Sequence, residues 1–328
     1  MTEDLRLELL PAEGPILDQI LAATFDIWHD GLNPAGYRRY YSAQRGTAWG
    51  RSHLHRWALV GAGEVLASAK VYDLAAVLDG RPIRVVGLGA VFTQPAHRGR
   101  GCARTLIDRL LERAGGEGAD LALLFSEIGA DYYARLGFSV VPRSGLTLRI
   151  VESDRRGAPA TLVRAGEDSD LGNLADMGRA RSHSYRLLLD RDRDLIQFTI
   201  AKKRLLAGLG PPGARQVQFF VAEEGASAVA YVVVSVRGTE WTVEEGGDRD
   251  PAGARLGAIL QVLIAREPGE ARPQLRGWLP TDLCPPQLRI LERSPARDVM
   301  MIRPLTAAGT PDRPLGEPDV FYWQGDQF

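Results

Sequence analysis

Two stretches of sequence decide the fold: Val91-Phe-Thr-Gln-Pro-Ala-His-Arg-Gly-Arg-Gly-Cys-Ala103 and Tyr132-Tyr-Ala-Arg-Leu-Gly-Phe138. The first is an apolar strand that runs into a basic, glycine-rich turn. A helix is predicted directly after it, because apolar residues recur at helical spacing at Leu106, Ile107, Leu110, Leu111 and Ala114. Glycines let a backbone approach a ligand closely, and the first amides of a helix have no partner within it. With the guanidinium groups of Arg98 and Arg100, this turn predicts a binding site for pyrophosphate.

The turn fits neither of two common nucleotide-binding motifs. It lacks the Gly-Lys-Ser/Thr of a P-loop, and Gly99-x-Gly101 lacks the third glycine of the dinucleotide fingerprint. The segment Arg98-Gly-Arg-Gly-Cys-Ala103 resembles instead the acetyl-CoA motif of the Gcn5-related N-acetyltransferase (GNAT) superfamily, Arg/Gln-x-x-Gly-x-Gly/Ala. Tyr133-Ala-Arg-Leu-Gly-Phe138 resembles that family's Tyr-x-x-Leu-Gly-Phe segment. The two motifs stand in the family's order, with a helix and a strand between them.

The resemblance implies both a fold class and a cofactor site. The fold is expected to be α/β (α+β), with two tandem GNAT-like folds, each a mixed and mostly antiparallel sheet flanked by helices. Acetyl-CoA is the implied co-substrate, and no metal is expected. The resemblance places the pantetheine arm along the backbone of Val91, Phe92 and Thr93. It places the phosphates on the turn and the helix start, at Arg98, Gly99, Arg100, Gly101, Cys102 and Ala103.

Length and local patterns divide the chain into two domains. A chain of 328 residues is too long for one ordinary domain. We expect an acetyltransferase domain at residues 1–150, a polar linker after it, and a degenerate GNAT-like domain with a C-terminal tail at 159–328. The second domain repeats the order of strands and helices of the first. Where its phosphate turn should lie, the sequence reads Glu244-Glu-Gly-Gly-Asp-Arg-Asp250. We interpret this acidic stretch as a solvated turn that repels pyrophosphate, so one cofactor site is expected.

Charge and hydropathy limit the classes of partner that the sequence predicts. The formal net charge of −1 argues against a nucleic-acid or membrane-surface role, which would need a basic excess. No run of about 18 apolar residues is present, and the N-terminus lacks the features of a signal peptide, so we expect a cytoplasmic protein. The histidines show no metal-ligand spacing, and Cys102 and Cys284 are too few for a disulfide framework. The sequence does not indicate an oligomeric state, and a homo-oligomer is compatible with it.

Three residues are candidates for the chemistry. The resemblance implies that the Tyr133 hydroxyl acts as general acid toward the leaving thiolate, with Tyr132 as the core member of the pair. Many family members carry a glutamate on the strand before the turn, but here that strand reads Val85-Val-Gly-Leu-Gly-Ala-Val91. Glu127, which follows the next strand, is either the base or a solvated loop acid. The chain plan resembles the enhanced-intracellular-survival class, in which the terminal carboxylate enters the active site. We therefore expect the tail to pack between the halves, with the Phe328 carboxylate in the cleft, or else only to seal the second domain.

The leading functional prediction is acetyl-CoA-dependent N-acetylation of a primary amine, by direct attack, on a small-molecule or peptide acceptor. The acids at 244–250 offer a cationic acceptor a second surface. The alternative is a non-catalytic, acyl-CoA-binding regulatory module, which the missing strand carboxylate favours and the intact Tyr133 motif opposes. A third reading is synthesis of a redox thiol, since mycothiol synthase also has tandem halves. Its competent half is the C-terminal one, whereas the intact motif here is N-terminal.

Overall fold

The computed structural model describes residues 7–151, 162–267 and 273–328. They fold into two compact units. The first unit contains the described part of Met1–Pro142 together with Asp298–Leu315 and Phe328. The second contains the described parts of Arg143–Arg297 and Gly316–Gln327. The chain therefore returns to its first unit twice after leaving it.

The first unit consists of helices and a seven-strand path of one mixed sheet. Its helices are α1 (Gly14–Trp28), α2 (Pro34–Gly46), α3 (Ala48–His53), α4 (Cys102–Gly116) and α5 (Asp131–Ala134). Its strands are β1 (Glu8–Pro11), β2 (Leu54–Gly61), β3 (Glu64–Leu78), β4 (Arg81–Thr93), β5 (Leu121–Ser126), β6 (Ser139–Val140) and β15 (Val299–Pro304). They pair in the order β1-β2-β3-β4-β5-β15-β6. Only β4 and β5 run parallel among these described pairs.

Helix α4 lies where the sequence predicts it and packs on one face of this sheet. Its buried residues are Cys102, Leu106, Ile107, Leu110 and Leu111, one stripe at helical spacing. They form a core with side chains of β3, β4 and β5. Because side chains alternate along a strand, the next residues of β2 and β3 point to the opposite face, where α1 and α2 pack. The sheet thus has one face for α4 and another for the N-terminal helices.

The second unit repeats this plan. Its helices are α6 (Leu171–Ser182), α7 (Arg193–Leu209) and α8 (Ala254–Ala265). Its strands are β7 (Ser144–Ile150), β8 (Leu162–Ala165), β9 (Leu187–Leu189), β10 (Gln216–Glu224), β11 (Ser227–Arg237), β12 (Glu240–Asp248), β13 (Gln274–Gly277), β14 (Leu288–Pro295) and β16 (Val320–Phe321). Seven of them pair in the order β8-β10-β11-β12-β13-β7-β14, and β12 and β13 are the parallel pair. Position by position, strand directions match those of the first sheet.

Two strands differ from the sequence-based expectation. β7 is predicted to close the first domain as a hairpin partner, but it pairs with β13 and β14 of the second unit. β15 is predicted as the last strand of the second domain, but it pairs with β5 and β6 of the first. β7 thus lies sixth in the sheet of the second unit, although it precedes the predicted domain boundary. β15 lies sixth in the sheet of the first unit, although it follows that boundary. Local patterning cannot reveal this, because the pattern fixes which face of a strand is apolar and not which sheet accepts it.

A third difference concerns residues 286–292, for which the sequence predicts a short helix. The prediction is wrong, because β14 occupies Leu288–Pro295 and pairs with β7 from Leu288↔Ile150 to Pro295↔Ser144. The run Gln-Leu-Arg-Ile-Leu is too short for periodicity to separate a helix from a strand. Pairing with β7 decides the outcome. Most of the predicted linker lies outside the described residues.

Candidate active site

Strands β4 and β5 diverge in the middle of the first sheet. Their parallel pairing runs from Val85↔Leu121 to Leu88↔Leu124, whereas the strands themselves continue to Thr93 and Ser126. Beyond Leu88, the edge of β4 that faces β5 is therefore not joined to it by the sheet ladder. A backbone edge of this kind can pair with amides of an extended ligand, which would act as an added strand. Val91, Phe92 and Thr93 occupy this stretch of β4.

The divergence coincides with a β-bulge. Lys70 of β3 pairs with Gly89, and Ser68 pairs with Phe92, so Ala90 and Val91 together oppose one residue. Ala90 has φ of 47°, a left-handed conformation that is uncommon for a residue with a side chain. Bulges bend a strand and redirect its edge, and such strain is concentrated at functional sites. Phe92 is buried, while Val91 and Thr93 are half-buried.

The glycine-rich turn between β4 and α4 contains two glycines in the left-handed conformation. Gly99 and Gly101 have φ of 75° and 78°, and Gly101 is the N-cap of α4. A side chain at either position would meet open space, so the glycines are needed for their conformation and not for room. Arg98 and Arg100 are exposed. Cys102 is buried in the core, so at this position the backbone amide, and not the thiol, faces an anion.

Phe328 lies against β4 immediately before the bulge. Its ring stacks on Tyr72 with centroids 4.4 Å apart and meets Phe125 edge-on at 5.5 Å. A methyl group at Gly87 would lie 2.5 Å from Phe328 Cζ, and one at Gly89 would lie 3.1 Å from the Phe328 carbonyl carbon. The two glycines therefore leave the space that Phe328 fills. Sequence reasoning missed this role, although glycines that alternate on one face of a buried strand indicate a close approach.

The remaining predicted residues lie in different surroundings. Tyr133 in α5 is 9% exposed and packs edge-on against Tyr132 and Phe138, at 5.1 Å and 6.0 Å between centroids. Burial raises the pKa of Tyr133 to about 12. The expectation that Tyr132 is the core member of the pair is wrong, because Tyr132 is only half-buried and Tyr133 is the buried core residue. Glu127 follows β5 directly and is exposed.

In the second unit, a carboxylate occupies the place that corresponds to the phosphate turn. Gly253, with φ of 72°, is the N-cap of α8, as Gly101 is of α4. The backbone amides of Arg255 and Leu256 both donate to Asp248 Oδ2, at 2.9 Å. The amides that would receive a phosphate are thus already bound to a side chain of the same unit.

The acidic stretch is not the solvated turn that the sequence predicts. Glu244, Glu245 and Asp248 are 4%, 1% and 5% exposed and lie at the end of β12. Glu245 bonds to the buried guanidinium of Arg191, and that guanidinium also donates to Asp326 at 2.9 Å. Glu244 pairs with Lys203 at 2.9 Å. Because these acids are buried and bonded to groups of their own unit, they form no free surface for a cationic acceptor.

Comparison with known proteins agrees with this geometry. Residues 26–141 match the acetyltransferase (GNAT) domain family. The first unit therefore contains a GNAT domain. The matched residues run from α1 to the end of β6 and include the diverging strands, the glycine-rich turn and Tyr133. A search of curated protein sequences gave no significant match.

Solved structures share the fold across both units of this chain. A GCN5-related N-acetyltransferase from Anabaena variabilis superposes with a TM-score of 0.68 at 12% identity, over 93% of this chain and 74% of the other. Eis1 from Mycobacterium abscessus gives a TM-score of 0.56 at 16% identity, over 91% and 73%. A tandem GNAT protein from the clavulanic acid biosynthesis pathway gives 0.52 at 14%, over 92% and 99%. The tandem GNAT fold is thereby confirmed.

Neither metal ligands nor membrane spans stand out in the described part of the chain. Among the residues that the structure describes, no group of three or more His, Cys, Asp or Glu side chains could hold a metal ion. Of the helices in the described ranges, none combines the length and the hydropathy that crossing a bilayer requires.

Proposed function

We propose that the first unit of this GNAT protein transfers an acetyl group from acetyl-CoA to a primary amine. The phosphates would bind the turn, where left-handed Gly99 and Gly101 turn the backbone toward the start of α4. Arg98 and Arg100 would add charge-assisted hydrogen bonds, and the amides of Cys102 and Ala103 would complete the anion site. The thioester supplies an activated acetyl group.

The free edge of β4 would hold the pantetheine arm. Three features support this: pairing with β5 ends at Leu88, the bulge at Ala90 bends the strand, and Val91 to Thr93 continue in extended conformation. Backbone groups of an extended arm pair best with such an edge. The arm would thereby bring the thioester next to the bulge.

The observation that carries the proposal is the place of Phe328. Its carbonyl carbon stands over Gly89, one residue before the bulge and at the end of the β4–β5 pairing. A carboxylate at this point would supply the base that the strand sequence lacks. It would accept the proton of the incoming ammonium group, directly or through a water. Glu127 is the second candidate for the base, and its exposure favours the role of a solvated acid.

Tyr133 would act on the other side of the reaction, toward the departing sulfur. A hydroxyl whose pKa is about 12 is protonated at every pH used for assay, so it can donate a hydrogen bond or a proton. Its position in α5 is fixed by packing against Phe138. A donor held by its surroundings stabilises developing charge without having to reorganise.

The second unit would contribute no cofactor site. Asp248 already binds the first amides of α8, and a negative carboxylate at that point would repel a pyrophosphate. Its terminal segment is held by buried contacts of its own. Arg191 binds Asp326, the Tyr322 hydroxyl donates to the Asp326 carbonyl at 2.7 Å, and Lys202 donates to the Gln327 carbonyl at 2.6 Å. These contacts would fix the residues that lead to Phe328.

The test is amine-dependent release of free thiol from acetyl-CoA, measured over a panel of primary amines. The wild type is compared with a variant that lacks only Phe328. Removal of residues 321–328 would be uninformative, because Phe321 and Trp323 belong to the core of the second unit. We expect turnover by the wild type and loss of about 100-fold or more in kcat in the variant, with unchanged acetyl-CoA affinity. Acetyl-CoA binding without turnover on any amine would favour the regulatory module instead.

A further inference from the structure

One region of the first unit holds an excess of buried polar atoms without hydrogen-bond partners. Of the eleven such side-chain atoms among the described residues, seven lie on α2 or on the face of β2 and β3 beneath it. They are Tyr41 Oη, Gln44 Oε1, Arg45 Nε, the three guanidinium nitrogens of Arg56, and Ser68 Oγ. Buried polar groups in native proteins are nearly always bonded, so a concentration of exceptions indicates a missing partner.

Arg56 is the centre of this group. It is 3% exposed, and none of its three nitrogens forms a hydrogen bond of good geometry, although the Tyr37 hydroxyl comes into hydrogen-bonding contact with it. Its guanidinium lies over the Tyr41 ring, 5.5 Å from the centroid, and burial lowers its pKa. The hydroxyls of Tyr37, Tyr41 and Tyr72 favour the charged form of Arg56, but they offset the effect of burial only in part. A buried cation that lacks an anionic partner is strongly destabilising, as a broken buried ion pair is, so stability does not explain why it is there.

Two further cations lie near Arg56. Arg56 stands directly opposite Lys70 in the β2–β3 pair, and Lys70 stands opposite Gly89 in the β3–β4 pair. Lys70 Nζ lies 5.8 Å from the centroid of the same Tyr41 ring, and Arg45 is also close to that tyrosine. The acid that acts on Tyr41 is Glu13, which is exposed. Arg45, Arg56 and Lys70 thus lie close to one tyrosine ring, on the sheet face that also holds Phe328.

We propose that Arg56 binds a carboxylate of the acceptor, so that the acceptor is a small amino acid-like molecule with an amine and a carboxylate. This inference rests on the proposed function. The planar guanidinium presents two parallel N–H donors that match a carboxylate, and the free hydroxyls of Tyr41 and Ser68 offer further donors. Arg56 and Gly89 are two strands apart in register, roughly 10 Å between backbones. A short acceptor held by Arg56 would thus present its amine toward the bulge.

The test compares each amino acid with its decarboxylated amine, in an α-, γ- and ω-amino acid series, by the ratio of their kcat/KM values. In the wild type, we expect kcat/KM to be higher for the amino acid than for its decarboxylated amine. In Arg56→Met, which keeps an unbranched apolar stem and removes the guanidinium, the ratio is expected to fall by about 10- to 100-fold, the range for losing a charged hydrogen bond. Arg56→Lys is expected to restore part of it. Arg39→Met, at an exposed arginine of α2, is the matched control and leaves the ratio unchanged.

A second measurement separates this role from a structural one. Melting temperatures of wild type and Arg56→Met are compared without ligand, and calorimetry measures amino acid binding in the presence of CoA. A binding arginine with no partner is expected to give an equal or higher melting temperature on substitution, together with lost amino acid affinity. A large drop in melting temperature, or equal ratios in wild type and Arg56→Met, overturns the inference. Preference for amines that carry a phosphate would overturn the carboxylate assignment. Absence of thiol release with every amine would instead refute the proposed function.

Discussion

Gly87→Ala tests whether the position of Phe328 governs turnover. The added methyl would lie 2.5 Å from Phe328 Cζ and 3.0 Å from both Cε atoms. Ordinary carbon–carbon contacts are about 3.5–4.0 Å, so the ring must move by about 1 Å or more. Two neighbouring rings limit this movement, because Tyr72 stacks on Phe328 at 4.4 Å and Phe125 meets it edge-on at 5.5 Å. The carboxyl group belongs to the same residue and would move with the ring.

The expected losses of stability and of rate follow from this geometry. Overpacking a buried site destabilises a protein by about 1–3 kcal/mol, and a displacement of about 1 Å in an active site can lower the rate by about 100-fold. We therefore expect Gly87→Ala to lower kcat by about 100-fold, with little change in acetyl-CoA affinity. The assay is thiol release at saturating acetyl-CoA, with calorimetry for affinity and thermal melting for stability.

Two variants control the comparison. Gly115→Ala adds the same methyl in α4, where nothing lies within 4 Å, and should keep wild-type kcat. Gly87→Ala combined with Phe328→Ala removes the ring from the clash and keeps the terminal carboxyl group, so the double variant should regain melting temperature relative to Gly87→Ala. Wild-type kcat in a folded Gly87→Ala protein would refute the link between Phe328 and turnover.

Three further predictions concern other parts of the chain. Tyr133→Phe should lower kcat by about 100-fold at unchanged acetyl-CoA affinity, and an equal kcat would remove Tyr133 from the mechanism. Asp248→Ala should lower the free energy of unfolding by about 1–2 kcal/mol in urea titration, because two amides at the start of α8 lose their acceptor, and an unchanged midpoint would contradict that role. The hydrogen bond to Asp73 raises the pKa of His55 above 6.5, so its stabilisation is complete below pH 6.5 and disappears as pH rises through the folded-state pKa. Asp73→Asn should therefore be less stable than wild type at pH 5.5, by under about 1 kcal/mol for this half-exposed pair, and the gap should close at pH 8.5.

Much of the fold could be predicted because local signals agree with the final structure. The helix at Cys102–Gly116 follows from its apolar spacing and from the glycine that precedes it. Each sheet is mixed and mostly antiparallel, as predicted, and its one parallel pair in the described strand order joins strands that are linked through a helix. The acidic stretch before α8 correctly suggested that the second phosphate turn is altered.

The remainder depends on contacts between distant residues. The exchange of β7 and β15 leaves no local trace, because each strand has the same alternation in either sheet. The burial of Glu244 and Glu245 depends on cations supplied from α7 and the segment before it, about fifty residues earlier. Arg56 could not be recognised as unpaired, since a sequence shows the charge and not the partners. The alternating glycines at 87 and 89 indicate that another group approaches β4 closely, but the sequence does not show that this group is Phe328.

Calorimetric titration with acetyl-CoA tests the central claim most directly, because it needs no knowledge of the acceptor. The wild type is measured beside Arg98→Ala/Arg100→Ala and beside Arg38→Ala/Arg39→Ala, which removes two exposed arginines of α2. We predict a stoichiometry of about one. We also predict a loss of affinity of about tenfold or more in the turn variant, since charged hydrogen bonds contribute about 1.5–3 kcal/mol each, and no loss in the control. A stoichiometry of about two, equal affinity in the turn variant, or no binding by folded wild type would contradict the claim.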